Sequence, residues 1–230
     1  MGPLETPDLT IPAAPYDWPH DRRLAPATTA LLIIDMQRDF CEPQGYLALL
    51  GYDISGTRQI IPNVLAVREK IRAWGGLVIY TREGHRPDLS DLPPQKAWRS
   101  RQNGIGIGDA GPNGRLLVRG APGCEIIEAL TPGPGEIVVD KPGYSAFYGT
   151  DLDRILRARC IQNLILTGIT TDVCVHSTLR DAVDRGFECL TVEDACAASV
   201  PENHAAAIRT IMTEGGIFGA VTSTARLGFA

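Results

Sequence analysis

Ala30-Leu31-Leu32-Ile33-Ile34-Asp35 is a five-residue apolar run that ends on a carboxylate. A strand with one wet face alternates apolar and polar residues, whereas a run without alternation reads as a strand buried on both faces. Similar runs recur at Leu77-Val78-Ile79-Tyr80, Ile137-Val138-Val139-Asp140, Leu164-Ile165-Leu166-Thr167, Cys189-Leu190-Thr191-Val192 and Ile217-Phe218-Gly219-Ala220-Val221. Between them the apolar residues take a helical period. Ile61, Val64, Leu65, Val67, Ile71 and Trp74 share one face of a helix predicted over about 60–73 and closed by Gly75-Gly76. A second helix follows Cys174 and stops at Gly186. A third opens at Pro201 and runs through Ile211 to Gly215-Gly216, and a short one fits Asp151 to Arg157. Strands alternating with helices require right-handed crossovers. The expected fold is therefore a single α/β domain with three α/β/α layers around a six-stranded parallel sheet.

The rest of the chain narrows the class. It has 230 residues, 44% of them hydrophobic, which suffices for one full core. Residues 1–25 are Pro-rich, and Pro12, Pro15 and Pro19 keep them from being helical. They read as an extended arm packed on the surface or on a partner subunit, ahead of one domain at 26–230. The arm lacks the charged start and apolar stretch of a secretory signal, and no long apolar run follows, so a cytoplasmic protein without membrane attachment is expected. A net charge of −5 argues against nucleic acid. The six cysteines read as free thiols, and the four histidines show no ligand spacing, so neither a metal nor a cofactor is expected. Residues 83–123 form an unusually long connection of the kind used as a lid or an assembly arm. Within it, Gly106 to Gly111 matches a dinucleotide fingerprint but has no strand before it and Pro112 after it, so it reads as a surface turn. Arg82, Glu83, His85 and Arg86 read as a charged network anchoring this connection, with room for one of them to touch a polar substrate.

Open parallel sheets carry their sites at the carboxyl ends of the strands. Asp35, Lys141 and Cys174 reach that edge from three separate runs. Cys174 follows Gly168-Ile169-Thr170-Thr171-Asp172-Val173 at a strand-to-helix turn, where a helix N-terminus and a nearby Lys141 would favour a thiolate. Asp35 could take the thiol proton and return it to a leaving nitrogen, and N–H groups around Thr170 and Cys174 could receive an oxyanion. A thiolate of this kind would be alkylated faster than the other five cysteines. From the residues alone, Cys174 as a small buried hydrophobe, Asp35 as a cap and Lys141 as a solvated terminal charge remain open. His176, two positions on from Cys174, points to another helix face; His204 reads as a surface residue.

Three strings, Leu32-Ile33-Ile34-Asp35-Met36-Gln37, Asp140-Lys141-Pro142-Gly143 and Gly168-Ile169-Thr170-Thr171-Asp172-Val173-Cys174-Val175, resemble the isochorismatase-like cysteine hydrolases in the same order. The resemblance implies a triad of Asp35, Lys141 and Cys174, a cis peptide between Ile169 and Thr170, and a homo-oligomer, most often a tetramer. It also implies which branches to set aside. Isochorismatases proper lack the cysteine, and nicotinamidases carry an Asp-x-His metal motif that Met36-Gln37-Arg38-Asp39-Phe40-Cys41 does not match.

The segment from Thr81 to Leu89, with Trp98-Arg99-Ser100 and Gly215-Gly216-Ile217-Phe218-Gly219, resembles the biuret hydrolase branch. That implies hydrolysis of a small condensed urea with release of ammonia through a Cys174 thioester. Two departures shift the expectation from biuret towards triuret. Glu214 stands where that branch has glutamine and would accept two N–H groups, and Tyr144 replaces a lysine. Phe40, Tyr144 and Glu214 are thus the candidate substrate-binding residues, with Tyr46 a possible further wall. Two other readings stand beside this one: an amidohydrolase of another carbamoyl or ureido compound such as ureidoacrylate, and a silent binding or assembly module.

Overall fold

The computed structural model describes residues 9–229. Six parallel strands form the sheet: β1 (Thr29–Ile34), β2 (Leu77–Glu83), β3 (Ile137–Lys141), β4 (Asn163–Ile169), β5 (Glu188–Ala197) and β6 (Ala220–Thr222). Their spatial order is β3-β2-β1-β4-β5-β6. The order reverses between β1 and β4, so the chain opens a crevice at their carboxyl ends.

The apolar run that announces β1 is buried at every position. Period-two geometry then sorts its side chains. Leu31 and Ile33 join a core with Val64, Val67 and Ile71 of helix α1 (Ile61–Trp74). Ala30, Leu32 and Ile34 join a second core on the other face. That core is closed by Leu152 and Leu156 of a helix at Leu152–Ala158, Leu179 and Ala182 of a helix at His176–Asp184, and Ile208 and Ile211 of a helix at Pro201–Met212. The three-layer α/β/α architecture follows directly. α1 ends where the periodicity places it, because Gly75 takes a left-handed φ of +84° and its N–H returns to the carbonyls of Ile71 and Arg72.

The described part of the N-terminal arm packs on its own domain. Ile11 and Trp18 pair antiparallel and are both fully buried, and Ala14 exchanges backbone hydrogen bonds of 2.9 and 2.8 Å with Val221 of β6. The arm thereby covers the exposed edge of the last strand. Residues 1–8 of the expected arm lie outside the described residues.

One local expectation needs correction. The sixth strand begins at Ala220, not Ile217, because Gly215, Gly216 and Gly219 all take positive φ and hold the intervening residues in a turn. The long connection after β2 also carries elements that its sequence did not announce: Pro94–Ser100 is helical, and Ala110–Gly111 pairs with Gly114–Arg115 in a small ribbon. Gly106–Gly111 forms the turn leading into that ribbon, where Arg101 and the Gly106 N–H both hold Asp109. No helix among the described residues is long and apolar enough to cross a membrane.

Gly168 shows how tightly the crevice is built. Its φ is +108°, and a Cβ there would sit 2.1 Å from the Ile34 carbonyl oxygen on the neighbouring strand. Gly168→Ala combines a disallowed backbone with a clash against backbone. It should cost at least about 3 kcal/mol in urea unfolding. A loss below about 1 kcal/mol would show that β1 and β4 can part without consequence.

Candidate active site

Asp35 follows β1 and is fully buried. Its φ is +52°, a left-handed conformation that aspartate tolerates better than most residues. β2 fixes it there: the Asp35 N–H donates to Thr81 O at 3.2 Å, and the Thr81 hydroxyl donates to Asp35 Oδ1 at 2.6 Å.

Lys141 ends β3, two strands away from β1, a separation of roughly 9–10 Å. A side chain of lysine length bridges that gap. The Lys141 Nζ lies 2.7 Å from Asp35 Oδ2 and 3.5 Å from Cys174 Sγ, and it donates to Gly143 O at 2.9 Å. The contact with Asp35 Oδ2 is a close ion pair without aligned hydrogen-bond geometry. Glu83 ends β2, the strand in between, and pairs in register with Lys141. Its Oε2 is 3.5 Å from Lys141 Nζ and accepts the Cys174 thiol at 3.4 Å.

Cys174 sits in a wide π-type turn, Thr171–Val175, which carries β4 into the helix at His176–Asp184. The Ile169–Thr170 peptide is cis. Both the Val173 and Val175 N–H groups close onto the Thr170 carbonyl, while the Thr170 N–H has no acceptor among the described residues. The Thr171 hydroxyl is 2.8 Å from His204 Nδ1, so His204 ties the Pro201–Met212 helix to this turn and is not a free surface residue. His176 turns away from the thiol, taking a hydrogen bond from Arg180 and packing edge-on against Phe218.

Cys174 and Glu83 open onto a cavity of about 340 Å³. Cys174, Thr170, Glu83 and Lys96 line it with Phe40, Tyr46 and Tyr144, and the long connection contributes Arg99, Ser100, Ile107 and Leu117. The connection therefore roofs the site. Glu214 does not line this cavity: it is exposed in the turn after the Pro201–Met212 helix, with a φ of +53°, because the same glycine-rich turn that delays β6 carries it outward. The proposed reading of a substrate end by Glu214 loses its footing within this chain. Sequence reasoning also set Glu83 aside. Its neighbours do form the expected structural network, with Arg82 held by Asp140 and Glu125 and His85 by Asp91. Glu83 alternates to the opposite face and meets the thiol, which period-two geometry could have signalled.

The electrostatics around the thiol act in opposing directions. Burial pushes the Cys174 thiol well above its ordinary range; Lys141 pulls it down, but Asp35 and Glu83 push it up again. Burial likewise raises Asp35, only partly offset by Lys141. Lys141 itself is raised, the pull of burial being outweighed by Asp35, Cys174 and Glu83. Glu83 is lowered: burial opposes ionisation, but Lys141 and Lys96 outweigh it. Burial and the two acidic neighbours thus favour the neutral thiol, and Lys141 alone favours the thiolate. Asp35, Glu83 and Cys174 place ligand atoms within 4.8 Å of one another, a spacing compatible with a metal ion. The Lys141 ammonium already sits against all three, so a second cation there would face direct repulsion.

Comparison with known proteins adds the following. The isochorismatase domain model matches residues 29–226. A ureidoacrylate amidohydrolase, RutB, of Caulobacter vibrioides is 38% identical over 230 residues, covering 98% of this chain and 93% of the relative. A crystal structure of a cysteine hydrolase from Pseudomonas syringae pv. phaseolicola superposes with a TM-score of 0.76 at 32% identity, covering 94% of each chain. N-carbamoylsarcosine amidase from Thermoplasma acidophilum superposes with a TM-score of 0.67 at 27% identity, covering 88% of this chain and 99% of that one.

The upward shift of the Cys174 thiol is open to measurement. Cys160 is the exposed cysteine, so a Cys160→Ser background isolates the buried site. Iodoacetamide alkylation of Cys174 there should rise with pH through a midpoint above the free-thiol value of about 8.5. A midpoint near or below 7 would mean a preformed thiolate.

Proposed function

Because this chain belongs to the isochorismatase family, we propose that it is a cysteine-dependent amidohydrolase of small ureido acids, of which ureidoacrylate is the model. The observation that carries the hydrolase reading is the Cys174 thiol on the cavity floor, 3.5 Å from the Lys141 ammonium and beside the Asp35 carboxylate. As the ureido carbonyl settles over the sulfur, Asp35 takes the thiol proton and the sulfur attacks the carbonyl carbon. The ammonium of Lys141 offsets the charge on sulfur. The Thr170 and Cys174 N–H groups receive the developing oxyanion. Asp35 then returns the proton to the leaving nitrogen as the C–N bond breaks, leaving a carbamoyl thioester on Cys174. Water, deprotonated by Asp35, hydrolyses that thioester to a carbamate, which breaks down to carbon dioxide and an amine. Whichever nitrogen leaves first, ammonia is among the final products.

Two considerations favour a ureido acid over triuret or biuret. The named function of the Caulobacter relative fits the first and not the others. Among the residues that line the cavity, Arg99 is solvent-exposed and has no ion-pair partner among the described residues. Neutral condensed ureas have no use for it, whereas the carboxylate of a ureido acid would pair with it bidentately. The argument for triuret rested on Glu214 and Tyr144; Tyr144 lines the cavity, but Glu214, which was to read the longer substrate's N–H groups, is outside it.

Ammonia release from ureidoacrylate, 3-ureidopropionate, biuret, triuret and nicotinamide tests the reading. The ureido acids should exceed biuret and triuret in kcat/KM, and Cys174→Ser should lower every rate at least about 1,000-fold. Arg99→Gln should raise KM for the ureido acids about 10–100-fold with little change in kcat. Faster turnover of triuret or biuret would overturn the ureido-acid assignment.

A further inference from the structure

The three groups of the proposed triad do not face the cavity equally. Cys174 lines it, but Asp35 and Lys141 do not; they lie behind the sulfur. The carboxylate exposed on the substrate side is Glu83, accompanied by Lys96. Glu83 is fixed at every atom that could move. Its backbone N–H donates to Gln37 Oε1 at 2.7 Å and its carbonyl accepts from Gln37 Nε2 at 2.9 Å, with Gln37 itself fully buried. Its Oε1 accepts from Lys96 Nζ at 2.7 Å, and Lys96 is held in turn by Pro142 O at 2.9 Å and by the Tyr144 ring, 4.8 Å from its centroid. Its Oε2 holds the thiol.

A carboxylate pinned between two ammonium groups is an acceptor only. Its Oε2 accepts the Cys174 S–H, a weak donor, at 3.4 Å and takes a long contact from Lys141 Nζ at 3.5 Å. An amide or ureido N–H is a stronger donor than a thiol. We propose that Glu83 is a substrate-binding residue that accepts an N–H of the scissile carbamoyl group, and that Lys96 is the positioning residue that keeps it in place. The inference rests on the ureido reading of this site and extends it. It makes N–H groups flanking the scissile carbonyl a requirement of recognition. It also couples binding to activation, since an N–H that takes over Oε2 releases the S–H to turn towards Asp35.

Binding, unlike turnover, reads this contact directly. Cys174→Ser protein should bind 3-ureidopropionate at least about 100-fold more tightly than its N′,N′-dimethyl analogue by calorimetry. Adding Glu83→Gln should shrink that ratio below about 10-fold, because the amide no longer offers an obligate acceptor. A ratio unchanged by Glu83→Gln, or no binding of either compound, overturns the proposal; a purely steric preference for the smaller head would leave the ratio unchanged. Ammonia release by the otherwise wild-type enzyme separates the two levels. An unchanged ratio with turnover intact sinks the role of Glu83 alone, while a shifted ratio without turnover sinks the hydrolase reading alone. Should Glu83→Gln fail to fold, Lys96→Gln leaves the carboxylate but removes its near cation, and the discrimination should then weaken as pH falls towards 5. A discrimination flat with pH in that variant overturns the proposal.

Discussion

The buried ammonium of Lys141 is the constraint around which the rest of the site is organised. It has no exposure to solvent and lies against Asp35, Glu83 and Cys174. A lone buried cation is prohibitively costly, and removing one partner of such a pair typically costs about 3–5 kcal/mol. The two carboxylates are therefore needed for the fold as well as for any chemistry. Lys96 completes the balance. Two ammonium groups face two carboxylates with the thiol neutral, and passing the thiol proton to Asp35 leaves the total charge unchanged. Proton transfer within the cluster thus avoids the penalty of creating net charge in a dry cavity.

A helix N-terminus and one lysine would favour a thiolate. Here Glu83 lies as close to the sulfur as the lysine does, Asp35 is within 4.8 Å, and burial adds to them. The proposed mechanism accordingly moves the thiol proton only as a substrate carbonyl reaches the sulfur. The roofing connection contributes to the same end. Its helix at Pro94–Ser100 brings Lys96 to Glu83 and Arg99 to the cavity mouth, so one element supplies both the cation that holds the acceptor and the cation proposed to meet a carboxylate. That is a structural use for a segment whose length alone marked it as functional.

The same fold logic accounts for what was readable and what was not. The unalternating runs at Ala30–Ile34 and Leu164–Leu166 specified strands buried on both faces, because no polar side chain could be spared on either side. The end of α1 was readable because Gly75 and Gly76 admit the left-handed turn that closes it. Asp35, Lys141 and Cys174 could be gathered at one edge because parallel strands present all their carboxyl ends to the same side. Glu214 could not be placed that way. It follows a helix and precedes an edge strand, and the positive-φ glycines around it decide the direction of the chain without any pattern of hydrophobicity.

By itself, then, the sequence determined the layers, the parallel strands and the edge that bears the site, since periodicity records which faces are buried. Tertiary structure alone decided which charges share that edge at close range. Lys141 reaches Asp35 across an intervening strand, and Glu83 on that strand meets both the lysine and the thiol only because β2 lies between β1 and β3. Strand order is not written in local pattern. Nor is the state of the thiol, which depends on the sum of burial and three neighbouring charges whose distances exist only after the chain has folded.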